Sequence, residues 1–240
     1  MLSQLNKFLM QWGLRMKGNY IKLLVLCLGV PIIVAMGVFL FSDRAYAWVS
    51  LCVAVLAIVP IFISFEKGSH SSIRLVILAV MIALSVAGRF VFAWLPHFKP
   101  VTAMVIITGM YLGYECGFVC GAFTALISNF YFGQGPWTPF QMFAWGIVGL
   151  VSGVLAKYFE KYVLVLFLYG AAAGVLYSFI LDVWTTLWWD GSFNFTRFIV
   201  NITTAVPVTA IYAISNVIFL FLLSKPLGKK IKRIKIKYGI

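Results

Sequence analysis

The sequence predicts an all-α integral membrane protein, and three observations support this fold class: its composition, its long apolar runs and its uneven distribution of cations. Of the 240 residues, 63% are hydrophobic and only 10% are charged, too few polar groups to cover a water-soluble fold of this size. Apolar runs recur from Ile21 to Ser224. They suit helices that cross the hydrocarbon core, which takes about 20 residues, whereas strands of a membrane barrel would alternate apolar and polar positions.

Breaks that contain charge, Gly or Pro divide the chain into about eight predicted helices. The first run is expected to be a retained helix and not a signal peptide, because it is long and a second apolar segment follows at once. The predicted helices cover residues 21–42, 46–65, 73–94, 100–115, 116–131, 140–158, 162–187 and 197–224.

Lysine and arginine favour one set of connectors. If both termini are cytoplasmic, Arg44, Arg89, Lys99 and Arg197 fall on the outer side and the other 15 of the 19 cations fall inside. This bias predicts a multi-pass protein of the cell membrane with cytoplasmic termini and outward loops at 95–100, 132–139 and 188–196. The net charge of +13 then needs no nucleic-acid partner, because a basic tail beside a final helix favours the anionic headgroups of the bilayer.

Motifs of catalysis and metal binding are missing from the sequence. It has no Gly-rich phosphate loop that ends in Lys-Ser/Thr, no His-Glu-x-x-His, and only two histidines with which to build a catalytic triad. Its four cysteines lie in apolar stretches without metal-ligand spacing. We therefore expect no enzyme activity, no catalytic residues, no metal site and no intrinsic cofactor, and any ATP hydrolysis would belong to partner subunits.

The segment from Asn129 to Trp145 mixes prolines and glycines with aromatic and amide side chains. An aromatic belt at the bilayer interface would explain Trp137 and Trp145 but not the amides clustered among them. Rings supply contact area and amides fix orientation, so the segment predicts the wall of a ligand pocket. The amide candidates are Asn129, Gln134 and Gln141.

Four further polar residues are candidates for the same pocket. Arg89 and Asp182 lie inside apolar helices, where an ionisable group is costly, so they either pair with each other or line a ligand pocket. His97 and Asn194 lie in outward loops. A lone loop histidine is generally solvated, although a neutral imidazole is also a good transition-metal ligand.

Two series of small residues repeat every four positions. Ala79, Ala83 and Ala87 form one smooth stripe, which suits either packing inside the bundle or the close approach of another helix. The second series predicts close backbone packing around a turn at Glu115, which we expect to be hydrated. It consists of Gly109, Gly113, Gly117 and Gly121.

The chain from about Ser72 to Ser224 resembles the S component of energy-coupling factor (ECF) transporters, the small membrane subunit that captures a vitamin from outside the cell. The alanine stripe carries the resemblance, together with the Leu-Gly-Tyr-Glu-Cys-Gly turn at 112–117 and the Gln-Gly-Pro-Trp-Thr-Pro-Phe-Gln-Met-Phe-Ala-Trp string at 134–145. The sequence is most similar to the cobalamin-type members.

The resemblance implies a six-helix S-component core with an outward pocket, plus two extra N-terminal transmembrane helices that depart from the family pattern. The expected units are an N-terminal membrane extension (1–71), a substrate-binding core (72–226) and a basic cytoplasmic tail (227–240). The alanine stripe would dock on the ECF membrane scaffold subunit, which two ATPase subunits drive.

The expected ligand of such a subunit is cobalamin or a related corrinoid, whose cobalt His97 would face. Another micronutrient, such as a queuosine precursor, is the alternative. A secondary transporter is the competing class, and it would require ionisable groups near the membrane midplane.

Overall fold

The computed structural model describes residues 22–40, 46–66, 72–190 and 193–239. Within these ranges the regular structure is helical and no strand is present, which confirms the predicted all-α membrane fold. The Asp43-Arg44 connector and the first 21 residues lie outside the described residues. A π-helical turn at Val25–Gly29 leads into α1 (Val30–Leu40), α2 (Tyr46–Glu66), α3 (Ser72–Val91), α4 (Val101–Leu112), α5 (Tyr114–Phe132), α6 (Trp137–Val154), α7 (Ala156–Lys161), α8 (Val163–Asp190) and α9 (Phe195–Tyr238).

Helix α4 is the centre of the bundle. Its neighbours α3, α5, α6 and α9 surround it, and all of its 12 residues except Tyr111 are buried. A helix of this length spans only about 18 Å, less than the hydrocarbon core. It is enclosed by protein instead of lipid, so its short length leaves no backbone exposed to the bilayer.

Four helices of the described chain are long and apolar enough to cross a membrane: α3, α5, α8 and α9. Shorter apolar helices occupy Lys22–Met36, Trp48–Pro60 and Val101–Leu112. The sequence predicted one helix over 140–158, but the chain turns at Leu155, so α6 is followed by the separate short helix α7.

Glycines allow α4, α5 and α6 to pack with their backbones in contact, as the four-residue spacing predicts. A Cβ atom on Gly117 would overlap the carbonyl group of Gly149, and one on Gly109 would overlap Gly149 and Ser152. Gly113 has φ 93°, which permits the sharp turn from α4 into α5.

The two N-terminal helices pack against α5 and α6. Lys22 reinforces this contact, because its Nζ lies 2.8 Å from the Glu115 carboxylate and both side chains are buried. We expected a hydrated Glu115, but the packed extension excludes water from the turn and supplies a cation in its place.

Helix α9 continues without a break across the predicted boundary at 226/227. Ile231 and Gly228 are buried, and Gly228 packs against the Tyr111 hydroxyl, so the basic segment lies against the core as a helix. Lys232 pairs with Glu160 at 2.8 Å, and Lys235 donates to the Tyr111 carbonyl oxygen at 3.0 Å. Apolar residues at helical spacing among the lysines explain this packing.

One end of the bundle is therefore rich in cations. Arg74 donates to the carbonyl oxygen of Leu112, close to the Lys22 and Glu115 pair and to the α9 lysines. We call this region the basic end, defined by Lys22, Arg74, Lys232 and Lys235.

Candidate functional site

A partly enclosed cavity of about 200 Å³ lies well away from the basic end. Arg89, on its wall, is separated from Arg74 by about 22 Å along α3. Side chains from α3, α4, α6, α8 and α9 and from the loop after α3 converge on this cavity. The lining residues are Arg89, His97, Lys99, Val101, Thr102, Gln141, Trp145, Gly174, Tyr177, Tyr212 and Asn216.

Arg89 is held in the last turn of α3 by neutral groups. Its Nη1 donates to the Ser128 hydroxyl and, at 2.8 Å, to Asn129 Oδ1. The guanidinium also lies 4.6 Å from the Phe132 ring centre and 5.3 Å from that of Trp145, within cation–π range. The ion pairs found among the described residues do not include one between Arg89 and Asp182.

Asn129 connects this arginine to the rest of the wall. Its Nδ2 donates to Thr138 at 3.0 Å and to Gln141 Oε1 at 2.8 Å. Gln141 in turn donates from Nε2 to the Tyr177 hydroxyl at 3.1 Å. A buried polar chain whose members are all hydrogen-bonded holds its side chains in one orientation, so this wall is preorganised.

Aromatic rings form another part of the wall. Trp145 stacks on Tyr177 with ring centres 4.8 Å apart and an angle of 20° between the planes. Trp145 Nε1 donates to Thr102 at 3.2 Å, and Tyr212 meets Tyr177 edge-on at 5.3 Å. These contacts hold the aromatic side chains of the wall in place, and aromatic lining favours a ligand that contains a ring.

The loop after α3 forms the mouth of the cavity. His97 has a positive φ of 60°, and its Nδ1 lies 3.1 Å from the Tyr212 hydroxyl. Burial and the nearby Lys99 lower the pKa of His97, so the imidazole stays neutral near pH 7. Burial, and after it the charge of Arg89, lower the pKa of Lys99.

Of the residues proposed from the sequence to bind substrate, Arg89, His97, Gln141 and Trp145 line the cavity, and Asn129 lies directly behind it. Gln134 and Trp137 do not line it. Gln134 holds the loop by donating to the Leu126 carbonyl oxygen at 2.8 Å.

Trp137, Asp182 and Asn194 have structural contacts outside the cavity. Trp137 packs edge-on against Trp184 at 5.8 Å. Asp182 lies on α8, half-buried, and its carbonyl oxygen accepts a hydrogen bond from Thr186. Asn194 caps α9, because its Oδ1 accepts from the backbone N–H of Arg197 at 3.1 Å.

Sequence reasoning missed several lining residues. Tyr177, Tyr212 and Thr102 are ordinary residues of apolar helices, so nothing in the sequence marks them as part of a site. Lys99 entered the sequence analysis only as one of the cations on the outer side of the membrane. Asn216 did carry a signal, since an amide in an apolar run needs a partner, and here it donates to the Gly170 carbonyl oxygen at 3.0 Å. The missed residues with polar side chains are Lys99, Thr102, Tyr177, Tyr212 and Asn216.

The alanine stripe forms a second, separate feature. Ala79, Ala83 and Ala87 are all exposed, so within the described chain they are not used for internal packing. They line an open apolar groove of about 440 Å³, together with Ile82, Val86, Phe90 and Ile127.

A comparison with protein-family models matched residues 69–233, about two thirds of the chain, to the ECF-type riboflavin transporter S component. No curated protein and no solved structure showed a significant match. The description of the matching family names riboflavin, so it supports the predicted S component but not its cobalamin subtype. The chain belongs to the family of ECF S components, the substrate-specific membrane subunits of ECF transporters, and it is a transport subunit and not an enzyme.

Proposed function

We propose that this protein captures a compact, flat, ring-containing vitamin from outside the cell for ATP-driven uptake by an ECF transporter. The observation that carries the proposal is the preorganised cavity, whose wall combines the stacked Trp145 and Tyr177 with Gln141, and Gln141 is hydrogen-bonded to Asn129 behind it. Stacked rings favour a planar ligand, and fixed amides select its orientation.

The size of the cavity supports a compact ligand more than a corrinoid. Its volume of about 200 Å³ lies below the usual range of small-molecule sites, about 300 to 1,000 Å³. Cobalamin, with its macrocycle, amide arms and nucleotide loop, is far larger than this space. A compact heteroaromatic such as a flavin ring or a queuosine precursor suits the volume better, and we propose that class in place of the corrinoid expected from the resemblance.

The proposed orientation places the cavity toward the medium and both termini in the cytoplasm. The gathering of Lys22, Arg74, Lys232 and Lys235 at the basic end supports it, because cytoplasmic ends of membrane helices are enriched in cations. Arg89 and Lys99 lie at the other end, where they line the cavity.

The proposed docking surface for the ECF membrane scaffold is the groove around Ala83. Small side chains let another helix approach closely, and the groove is almost wholly apolar. The N-terminal helices pack on α5 and α6, so they leave this side of α3 open. Two ATPase subunits would supply the energy through the scaffold.

Mass spectrometry of small molecules retained by the purified full-length chain tests the ligand class, and uptake into proteoliposomes that also contain an ECF scaffold and its ATPases tests the mechanism. We expect a compact heteroaromatic to be retained and its uptake to depend on internal ATP. Retention of a corrinoid would contradict the ligand proposal. Uptake that ignores ATP and collapses with the proton gradient would support a secondary transporter instead.

A further inference from the structure

The two charged side chains that line the cavity are both cations. Arg89 and Lys99 are its charged lining residues, and no aspartate or glutamate lines it within the described chain. Asp182, which sequence analysis offered as a partner for Arg89, is not part of the wall. A cation buried without a carboxylate is costly, so a site that keeps two of them close together favours a ligand that brings the missing negative charge.

Arg89 also has hydrogen-bonding capacity to spare. A guanidinium carries five N–H groups, and the two on Nη1 are used by Ser128 and Asn129. Its Nε and Nη2 form no hydrogen bond with residues in the described part of the chain, although the residue is only 9% exposed and lines the cavity. Donors in this fork geometry match the two oxygens of a carboxylate or phosphate.

Lys99 reinforces the same position. Its Nζ lies 4.9 Å from the centre of the Phe132 ring, which Arg89 also contacts at 4.6 Å. The two cations therefore share one ring near the mouth, and their mutual repulsion contributes to the lowered pKa of Lys99. An anion between them would remove this repulsion.

We propose that the transported ligand carries an anionic oxygen group, a carboxylate or a phosphate, which Arg89 and Lys99 bind while its ring lies against Trp145. This inference rests on the proposed function of the cavity as the ligand site. It narrows the proposed ligand from any compact heteroaromatic compound to an acidic one. Riboflavin itself is neutral, so it matches the two cations less well than an acidic ligand would.

Fluorine NMR on the purified full-length protein in lipid nanodiscs tests this inference with three matched ring probes. The probes are para-fluorobenzoate, para-fluorophenyl phosphate and the neutral para-fluorobenzamide. We expect at least one anion to bind at least about tenfold more tightly than the amide, since a charge-assisted hydrogen bond is lost with the charge. The anion that binds with the higher affinity shows whether a carboxylate or a phosphate is the preferred group.

Substitutions test whether Arg89 and Lys99 cause the tighter binding of the anionic probes. Arg89→Gln should remove most of the difference between anion and amide, and Lys99→Gln should reduce it several-fold. Lys99→Gln keeps the test valid if Arg89→Gln does not fold, because the Lys99 amine makes no hydrogen bond or ion pair with the described residues and lies over the Phe132 ring. Arg197→Gln is the matched control, a cation outside the cavity that pairs with Asp190 and should leave all three affinities unchanged.

Equal binding of amide and anions would overturn the inference, and so would the absence of saturable binding by either anion up to its solubility limit. Either result, combined with ATP-dependent uptake of a neutral ring compound, would leave the proposed function intact. Failure to assemble with any ECF scaffold would instead contradict the proposed function, regardless of how tightly the three probes bind.

Discussion

Asn129 and Gln141 form a buried amide pair at 2.8 Å, and this pair joins the Arg89 guanidinium to the Tyr177 hydroxyl. Each amide donates and accepts, so the direction of every hydrogen bond in the chain is set. The pair fixes the polar wall of the cavity before a ligand arrives.

Replacing Asn129 by leucine should weaken both folding and binding. Arg89 and Gln141 would each lose a buried partner, which costs about 1 to 3 kcal/mol in unfolding free energy per unsatisfied group. Thermal unfolding and ligand titration of Asn129→Leu measure the two effects, and we expect at least about tenfold weaker binding. Asn194→Ala is the control, since it removes a helix cap and should lower stability by about 1 kcal/mol without changing affinity. Unchanged affinity in Asn129→Leu would contradict the proposed role of the pair.

A methyl group on Gly117 should disrupt the centre of the bundle. The new Cβ would overlap the Gly149 carbonyl group, and backbone cannot move aside as a side chain can. We expect Gly117→Ala to lower the unfolding free energy by about 1 to 3 kcal/mol or more, measured by thermal unfolding. Gly29→Ala, whose Cβ would come no closer than 3.8 Å to its nearest neighbour, should have little effect. Similar stabilities of the two variants would argue against the close packing of α5 on α6.

A bulky residue in the alanine groove should separate docking from ligand binding. Ala83→Trp would fill the groove, so we expect it to prevent copurification with the ECF scaffold and to abolish uptake while the affinity of the isolated subunit stays unchanged. Leu168→Trp changes a residue of α8 that is 62% exposed and lies outside the groove, and it should assemble normally. Assembly of Ala83→Trp at the level of this control would remove the groove as the docking surface.

The Lys22 and Glu115 pair should matter more for stability than the Lys232 and Glu160 pair. Lys22→Met leaves a buried carboxylate without its lysine, which costs on the order of 3 kcal/mol. The double variant with Glu115→Gln should recover part of this loss. Lys232→Met breaks an exposed pair of the same length and should cost less than about 1 kcal/mol. If chemical denaturation gave the same loss of unfolding free energy for Lys22→Met and Lys232→Met, burial would not make the first ion pair more important for stability than the second.

Acidification should destabilise the mouth of the cavity through His97. Because burial and Lys99 lower the pKa of His97, the unfolded chain takes up a proton at a higher pH than the folded protein does. The stabilising effect of the neutral imidazole is therefore present above its ordinary pKa of about 6.5 and declines as the pH falls below it. Unfolding temperatures measured from about pH 8 to about pH 5 should fall less in His97→Gln than in the wild type. Parallel pH curves for the two proteins would contradict the assignment.

Hydropathy and charge alone determined the membrane class and most helix positions, but not the break at Leu155 that separates α7 from α6. In lipid a spanning segment must satisfy its own backbone hydrogen bonds, so an apolar run of sufficient length becomes a helix whatever surrounds it. Short motifs also placed the chain among S components, and the spacing of glycines predicted close backbone packing around the turn between α4 and α5. Each of these properties depends on residues that are near one another along the chain.

The tertiary structure decided which side chains meet. The cavity combines Arg89 of α3, Gln141 of α6, Tyr177 of α8 and Asn216 of α9 with Lys99 of a loop, and their convergence depends on how each helix is rotated in the bundle. Helical periodicity identifies faces of a helix but not the neighbour that each face will contact. For the same reason the burial of Glu115 and the packing of the basic part of α9 against Tyr111 followed only from the folded arrangement.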